Sequence, residues 1–229
     1  MKLSVIIPCY NEENTLKSIL DKVSNQNFIE KEIIVIDDFS TDNSRKILAN
    51  YQQDQENVKI IYNLQNRGKG YSIRQGLKLA TGDIILIQDA DLEYSPDDYK
   101  NLIKPILDGN ADVVFGSRFI GSQETRVLYF WHTLGNKFLT LLSNMLTNLN
   151  LTDMECCYKV FKKNVIKDIP LKENRFGFEP EITAKISKKN LRIYEIGVKY
   201  FGRKYEDGKK ITWKDGFAAI FCIIYYNLF

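Results

Sequence analysis

Two aspartates one residue apart, Asp89 and Asp91, follow directly on the apolar run DIILIQ at 83–88. In an extended segment, side chains two residues apart point the same way, so both carboxylates can face one cation across Ala90. Hard divalent ions such as Mg2+ or Mn2+ take carboxylate oxygens of this kind and share them with a diphosphate. Such an ion neutralises charge developing on a leaving diphosphate. Glu93 continues the alternation and is a third candidate ligand. A solvated acidic loop is the competing reading, and the pair draws its weight from its place behind a buried strand.

Other polar groups also sit just behind apolar runs. Asp37 and Asp38 close EIIVID, where a carboxylate can accept hydrogen bonds from a base or ribose or cap the helix that follows. Asn66-Arg67-Gly68-Lys69-Gly70 pairs two cations with two glycines. Glycines let backbone approach a ligand and the cations suit phosphate, yet the P-loop spacing is absent. A basic turn before a helix would have the same composition. Arg203, Lys209 and Lys210, between Gly202 and Gly208, suit a loop that closes over a diphosphate or binds a lipid phosphate, or equally a solvated basic surface. The single histidine, His132, lies in an aromatic helix and reads as a core or interface residue. With no other histidine, Ser-His-Asp hydrolysis and histidine-rich metal sites are disfavoured.

The elements that must position these groups alternate. Strand signals at 2–8, 32–37, 58–62, 83–88 and 111–116 are separated by helical patterns at 11–23, 41–52, 70–80 and 97–108. Asn11 reads as an N-cap with Glu12 and Glu13 in the first turn. The alternation predicts an α/β fold, a mostly parallel central sheet flanked by helices, with ligands beyond the carboxyl ends of the strands. The second half differs: a long aromatic helix at 126–151, a strand-like CYKVF, a helix at 175–188 entered through Gly177, an alternating strand at 191–200 and a last amphipathic helix at 212–226. Without repeats or a Pro/Gly-rich linker, residues 1–229 read as a single domain, with 121–229 wrapping 1–120.

The chain has 229 residues and a net charge of +3, too small to argue for nucleic acid. Its four cysteines, Cys9, Cys156, Cys157 and Cys222, lack CxxC spacing and read as free thiols in a reducing compartment. Neither a signal peptide nor a stretch of about 20 apolar residues is present, so the expectation is a non-integral protein able to lie on a membrane.

Taken together, SVIIPCYNEENTL (4–16), EIIVIDDFSTDNS (32–44), NRGKGYSIRQGLKLATGDIILIQDADLEYSPDD (66–98) and DVVFGSRF (112–119) resemble family 2 glycosyltransferases of the GT-A fold. LTDMECCYKVFKKNV (151–165), RFGFEPEITAKI (175–186) and GRKYEDGKKITWKDG (202–216) look more narrowly like the dolichyl- or polyprenyl-phosphate sugar synthases, dolichol-phosphate mannosyltransferases among them. The resemblance implies a metal-dependent, inverting transfer of a hexose from a UDP- or GDP-sugar to a polyprenyl (dolichyl or undecaprenyl) phosphate. It assigns Pro8, Tyr10 and Glu12 to the first nucleotide-contacting loop, Asp38 to the base, and Arg67 and Lys69 to the turn facing the nucleotide. Asp89 and Asp91, with Glu93, fall on the metal site. Arg118 would face the acceptor phosphate, Arg203 and Lys209 or Lys210 would close over the site, and Asp153 would act as base or acceptor-orienting group. The family's Gly-Phe-Lys after that aspartate is Cys157-Tyr158-Lys159 here.

An already ionised lipid phosphate needs little general-base help, which suits a site without a catalytic histidine. The apolar helices at 126–151 and 217–229 fit either a core or a membrane-surface platform. The expected location is cytoplasmic, peripheral on the membrane face, with a membrane-protein partner possible. Three rivals stay open: a soluble sugar or polysaccharide acceptor, a non-catalytic nucleotide-sugar-binding partner, and a nucleotidyltransferase, against which the missing Gly-rich first loop counts.

Overall fold

The computed structural model describes residues 1–53, 55, 57–121, 124, 126–127, 129–203 and 213–229. Its described strands form one seven-stranded sheet: β1 (Leu3–Cys9), β2 (Lys31–Asp37), β3 (Val58–Tyr62), β4 (Ile84–Ile87), β5 (Val113–Ser117), β6 (Lys159–Lys162) and β7 (Ile193–Gly197). Their spatial order is β3-β2-β1-β4-β6-β5-β7. Every neighbouring pair is parallel except those of β6, which runs antiparallel to both β4 and β5. The helices are α1 (Leu16–Ser24), α2 (Ser44–Gln53), α3 (Lys69–Leu79), α4 (Tyr99–Leu107), α5 (Phe130–Thr147), α6 (Lys163–Lys167), α7 (Phe178–Ser187) and α8 (Trp213–Leu228).

Strands β1, β2 and β4 are continuous apolar runs because helices cover both faces of the sheet. Ile6, Ile7, Ile34, Val35 and Leu86 are fully buried. Away from the carboxyl ends, buried Glu32 ties the sheet together. It accepts hydrogen bonds from Ser4 Oγ (2.6 Å), Thr81 N (2.6 Å) and Gly82 N (3.2 Å), and pairs with Lys59 Nζ at 2.8 Å. Burial alone would raise its pKa, but these donors win and hold it at about 2.

The helix expected from Asn11 starts only at Leu16. Asn11 adopts a left-handed φ of 49°, and its side chain accepts from Thr41 N at 2.8 Å, pinning the first loop to the second. Glu13 likewise accepts from Asn43 N at 2.9 Å. Glu12 and Glu13 are therefore loop residues, released from a first helical turn to cross-link the carboxyl ends of β1 and β2.

Helix α5 is inside out. Its buried residues are Thr140 and Ser143, whereas Phe130, Trp131, Leu134, Phe138, Leu141 and Met145 are exposed. Buried Thr140 and half-buried Asn144 have a job: Thr140 Oγ1 accepts from Met154 N (3.1 Å), and Asn144 bonds both Leu151 O (2.7 Å) and Leu151 N (3.1 Å). They hold the segment that carries Asp153. Helix α8 packs on α5 and α7 and exposes Phe217, Phe221 and Leu228. No helix among the described residues is long and apolar enough to cross a membrane. Cys9, Cys156, Cys157 and Cys222 are buried and none of them is in a disulfide.

Candidate active site

The loops behind β1, β4 and β7 converge on one acidic cluster. Arg203 lies at its centre, 17% exposed in its side chain. It reaches Glu12 Oε2 at 3.1 Å through Nη1 and Asp91 Oδ2 at 3.0 Å through Nη2. Its backbone amide donates to Glu93 Oε1 at 2.6 Å. Phe201 N donates to Glu93 O at 2.8 Å, and the hydroxyl of Tyr200 donates to Glu93 Oε2 at 3.3 Å. Glu93, read from sequence as a third ligand, thus fastens the strap 200–203 over the aspartates. Burial first, and then the charges of Asp89 and Glu93, push the Asp91 carboxyl up to about 7 despite Arg203.

Asp89, on the same segment, has a different cation for a partner. Lys69, at the start of α3, bridges Asp89 Oδ1 and Glu179 Oε1, each at 2.9 Å. Burial works against the ammonium, but Asp89 and Glu179 hold its pKa well above the usual lysine value. Ala90 is buried, and its carbonyl accepts from Thr15 Oγ1 at 2.9 Å. The donor set of Asp89 and Asp91, carboxylate oxygens crowded by Glu12 and Glu93 and balanced by cations, fits a hard divalent ion. Among the described residues no three His, Cys, Asp or Glu side chains form a ready-made metal cage, so ligands of such an ion would have to be completed by the substrate.

Asp38, at the end of β2, spends its carboxylate on the chain itself. It accepts from Asn63 Nδ2 (2.8 Å), Arg67 N (3.0 Å) and Gly68 N (2.6 Å), setting the 66–68 turn. Gly68 has a φ of 95°, and a Cβ there would meet Asn174 O at 2.5 Å. The glycines of this turn admit the 173–175 segment, a reason sequence reasoning did not supply. Arg67 is exposed over the ring of Tyr71 at 4.9 Å, and Tyr10 is half-exposed at the end of β1. Pro8 lies within β1 opposite Ile36. Asp37 is buried against Arg45 Nε at 2.7 Å and takes the structural role open to it.

A second cluster lies behind β5. The Arg118 side chain, 12% exposed, is gripped by Asp153: Nε–Oδ2 and Nη2–Oδ1 are both 2.7 Å. Tyr200 joins the two clusters, its ring 5.3 Å from the Arg118 guanidinium and its hydroxyl on Glu93. Glu195 accepts from Thr152 N (3.0 Å) and Asp153 N (3.1 Å), fixing the aspartate in turn. Fully buried Lys159 folds the loop back, its Nζ on Met154 O at 3.0 Å and over the Phe115 ring at 4.7 Å.

Sequence reasoning missed Glu155, Glu179, Tyr200 and Lys159. The one available signal was charge inside an apolar context: Glu179 opens the buried helix FEPEITAKIS and Lys159 sits in a core strand. Lys209 and Lys210 lie outside the described residues. His132 lies against Tyr129, ring centroids 5.3 Å apart, and is half-buried, outside the core in which the sequence reading could place it.

Residues 4–170 match the profile described as glycosyl transferase family 2. The chain belongs to glycosyl transferase family 2. It is 28% identical over 237 residues to the UDP-N-acetylglucosamine–dolichyl-phosphate N-acetylglucosaminyltransferase of Methanococcus voltae, covering 96% of this chain and 94% of that protein. It is 30% identical over 213 residues to the undecaprenyl-phosphate 4-deoxy-4-formamido-L-arabinose transferase of Proteus mirabilis, covering 91% of this chain and 62% of that protein. Among solved structures, glucosyl-3-phosphoglycerate synthase from Mycobacterium tuberculosis, crystallised with Mn2+, UDP and glucosyl-3-phosphoglycerate, superposes with a TM-score of 0.77 at 18% identity, over 98% of this chain and 79% of that one. That likeness identifies the GT-A fold. The expected fold and enzyme class hold.

Proposed function

We propose that this glycosyltransferase moves a hexose, with inversion, from a UDP- or GDP-sugar to a polyprenyl phosphate at a membrane surface. The observation that carries the reading is the pairing of two charged clusters, linked by Tyr200, beside an exposed apolar face on α5 and α8. The names of the Methanococcus voltae and Proteus mirabilis relatives, a dolichyl-phosphate and an undecaprenyl-phosphate transferase, support it, as does the Mn2+ and UDP-glucose named for the solved synthase.

Asp89 and Asp91 would hold Mg2+ or Mn2+, which supplies charge neutralisation at the leaving diphosphate. Arg203 and Lys69 are placed to exchange their carboxylate partners for diphosphate oxygens. Both are long cations already within hydrogen-bond distance of the aspartates, so small side-chain shifts suffice. Exposed Arg67 and half-exposed Tyr10 would contact the nucleoside, and Asp38 would serve by shaping the 66–68 turn that carries Arg67. Arg118, its Nε–Nη2 edge held by Asp153, would offer its Nη1 donors to an acceptor phosphate. Asp153 aims it, a positioning role rather than proton removal. An acceptor phosphate is ionised near neutral pH, so transfer rests on orientation and charge neutralisation.

The apolar face argues for a lipid acceptor over a soluble one. Trp131 is 75% and Phe221 66% exposed, and aromatic side chains of this kind favour the membrane interface. The test is transfer of radiolabel from UDP-N-acetylglucosamine and GDP-mannose, with Mn2+, to a polyprenyl phosphate in phospholipid vesicles. Label extracted into organic solvent is the expected result. Label transferred only to water-soluble sugars would overturn the lipid acceptor.

A further inference from the structure

Tyr158 stands where the family's Gly-Phe-Lys has its phenylalanine. What the tyrosine adds is a hydroxyl, which donates to Gln88 Oε1 at 2.7 Å. The hydroxyl of Tyr99 donates to the same oxygen at 2.8 Å. All three side chains are fully buried. A glutamine carried into a core costs stability unless its amide is paired, and two phenols occupy both lone pairs of this oxygen. Burial pushes both phenols well above the usual tyrosine pKa, so each keeps the proton it donates.

The other end of the amide faces the metal loop. Gln88 follows β4 directly, and its own N–H still donates to β1, at Ile6 O, 3.0 Å away. Beyond it the chain leaves the sheet, and the carbonyls of Asp89 and Ala90 need partners elsewhere. Gln88 Nε2 donates to Asp89 O and Thr15 Oγ1 to Ala90 O, each at 2.9 Å. The two peptide groups between the aspartates are thus each held by one side chain. A flipped Gln88 amide would set its oxygen against the Asp89 carbonyl, acceptor against acceptor, so the phenols also fix which end meets the loop. The ring of Tyr158 backs Tyr94 (centroids 5.0 Å apart), and Tyr94 backs Tyr200 (5.3 Å), whose hydroxyl holds Glu93. One buried tyrosine therefore supports the acidic loop at both ends.

We propose that Gln88, Tyr99 and Tyr158 are positioning residues for the metal site, acting through the Asp89 carbonyl to set the two aspartates for a divalent ion. This rests on the metal reading of Asp89 and Asp91 and deepens it. None of the three has to touch the ion. Partners one step behind metal ligands tune affinity about 10–100-fold when they bond the ligand side chain itself, and action through a backbone carbonyl is weaker.

The experiment titrates Mn2+ into the protein with saturating UDP and, separately, GDP. Free Mn2+ is followed by electron paramagnetic resonance, and melting temperature is recorded beside it. The variants are Tyr158→Phe, Gln88→Met and the triple variant Gln88→Met/Tyr99→Phe/Tyr158→Phe. Tyr158→Phe keeps the ring and loses one hydrogen bond. It should melt within about 5 °C of wild type and bind Mn2+ about threefold more weakly. Gln88→Met strands two buried hydroxyls, and it should lose stability together with at least about fivefold in Mn2+ affinity. The triple variant replaces the network by apolar groups of similar shape. Its melting temperature should recover relative to Gln88→Met, while its Mn2+ affinity stays at least about fivefold below wild type. Unchanged Mn2+ affinity in Tyr158→Phe, or affinity that recovers along with stability in the triple variant, makes the network packing alone and overturns the proposal. A wild type that takes up no Mn2+ with either nucleotide overturns the metal reading as well.

Discussion

Asp153 holds Arg118 through both carboxylate oxygens, with Nε and Nη2 each at 2.7 Å and the Arg118 amide at 3.0 Å on the same carboxylate. A carboxylate with three such donors, fully buried, is poorly placed to remove a proton from an acceptor. It is well placed to keep a guanidinium in one orientation. Asp153→Ala should destabilise the fold by about 3–5 kcal/mol, because it strands a buried cation. Asp153→Asn should remain folded and lower kcat/KM for the acceptor about tenfold, mostly through KM. Thermal unfolding and acceptor saturation curves check the two. A loss confined to kcat, with a pH profile that shifts by an ionisation, would return Asp153 to the role of base.

Arg203 touches the carboxylates that the metal reading requires. Removing it leaves Glu12, Asp91 and Glu93 facing one another with less compensation. Arg203→Ala should therefore melt at lower temperature than wild type without added metal, and should gain more from millimolar Mn2+. The difference in gain should be about 2–4 °C for each 1 kcal/mol of relieved repulsion in a chain of this length. Equal Mn2+ responses in wild type and variant would mean that the guanidinium and the ion do not share a site. Differential scanning fluorimetry reads the outcome directly.

The exposed side chains of α5 make a separable prediction. Trp131 and Phe138 contribute little to the core, so Trp131→Glu and Phe138→Glu should change stability by no more than about 0.5 kcal/mol each. Both should sharply reduce co-sedimentation with phospholipid vesicles if this face meets lipid. Undiminished vesicle binding in the double variant would remove α5 from the membrane account. Gel filtration of the same variants separates membrane docking from self-association through this face.

Glu32 gives the pH dependence its sign. Its folded pKa, about 2, lies below the usual carboxylate value of 4.5. The stabilisation is therefore complete above the unfolded pKa and is lost as pH falls from about 4.5 toward 2. Glu32→Gln should be less stable than wild type at pH 7, by about 2 kcal/mol, and the two should converge near pH 2. Denaturant titrations across that range test the convergence.

Much of the architecture was legible because buried parallel strands leave continuous apolar runs. VIIP, EIIVID and DIILIQ showed β1, β2 and β4, and the polar residues behind them marked the candidate site. Less legible was the insertion of β6 antiparallel between β4 and β5, since the order of strands in a sheet depends on packing far from the local pattern. The start of α1 was misplaced by five residues, because Asn11 and the two glutamates resemble a capped helix. Their hydrogen bonds go across to Thr41 and Asn43 instead. The aromatic helix at 126–151 fitted core and surface equally, since composition does not say which face points inward. The structure shows its polar residues inward, holding the loop that carries Asp153. Glu179 left only the signal of a charge in an apolar helix, and the buried oxygens that Glu155 and Glu179 leave orphaned among the described residues are properties of three-dimensional surroundings alone.

The central claim is that a metal ion at Asp89 and Asp91 anchors a sugar nucleotide. It is tested most directly by measuring thermal stabilisation with a panel of UDP- and GDP-sugars, with and without Mn2+, on wild type and Asp91→Ala. The account predicts Mn2+-dependent stabilisation by sugars of one nucleotide base, abolished in Asp91→Ala. Stabilisation that is independent of Mn2+, or that survives in the variant, would contradict it.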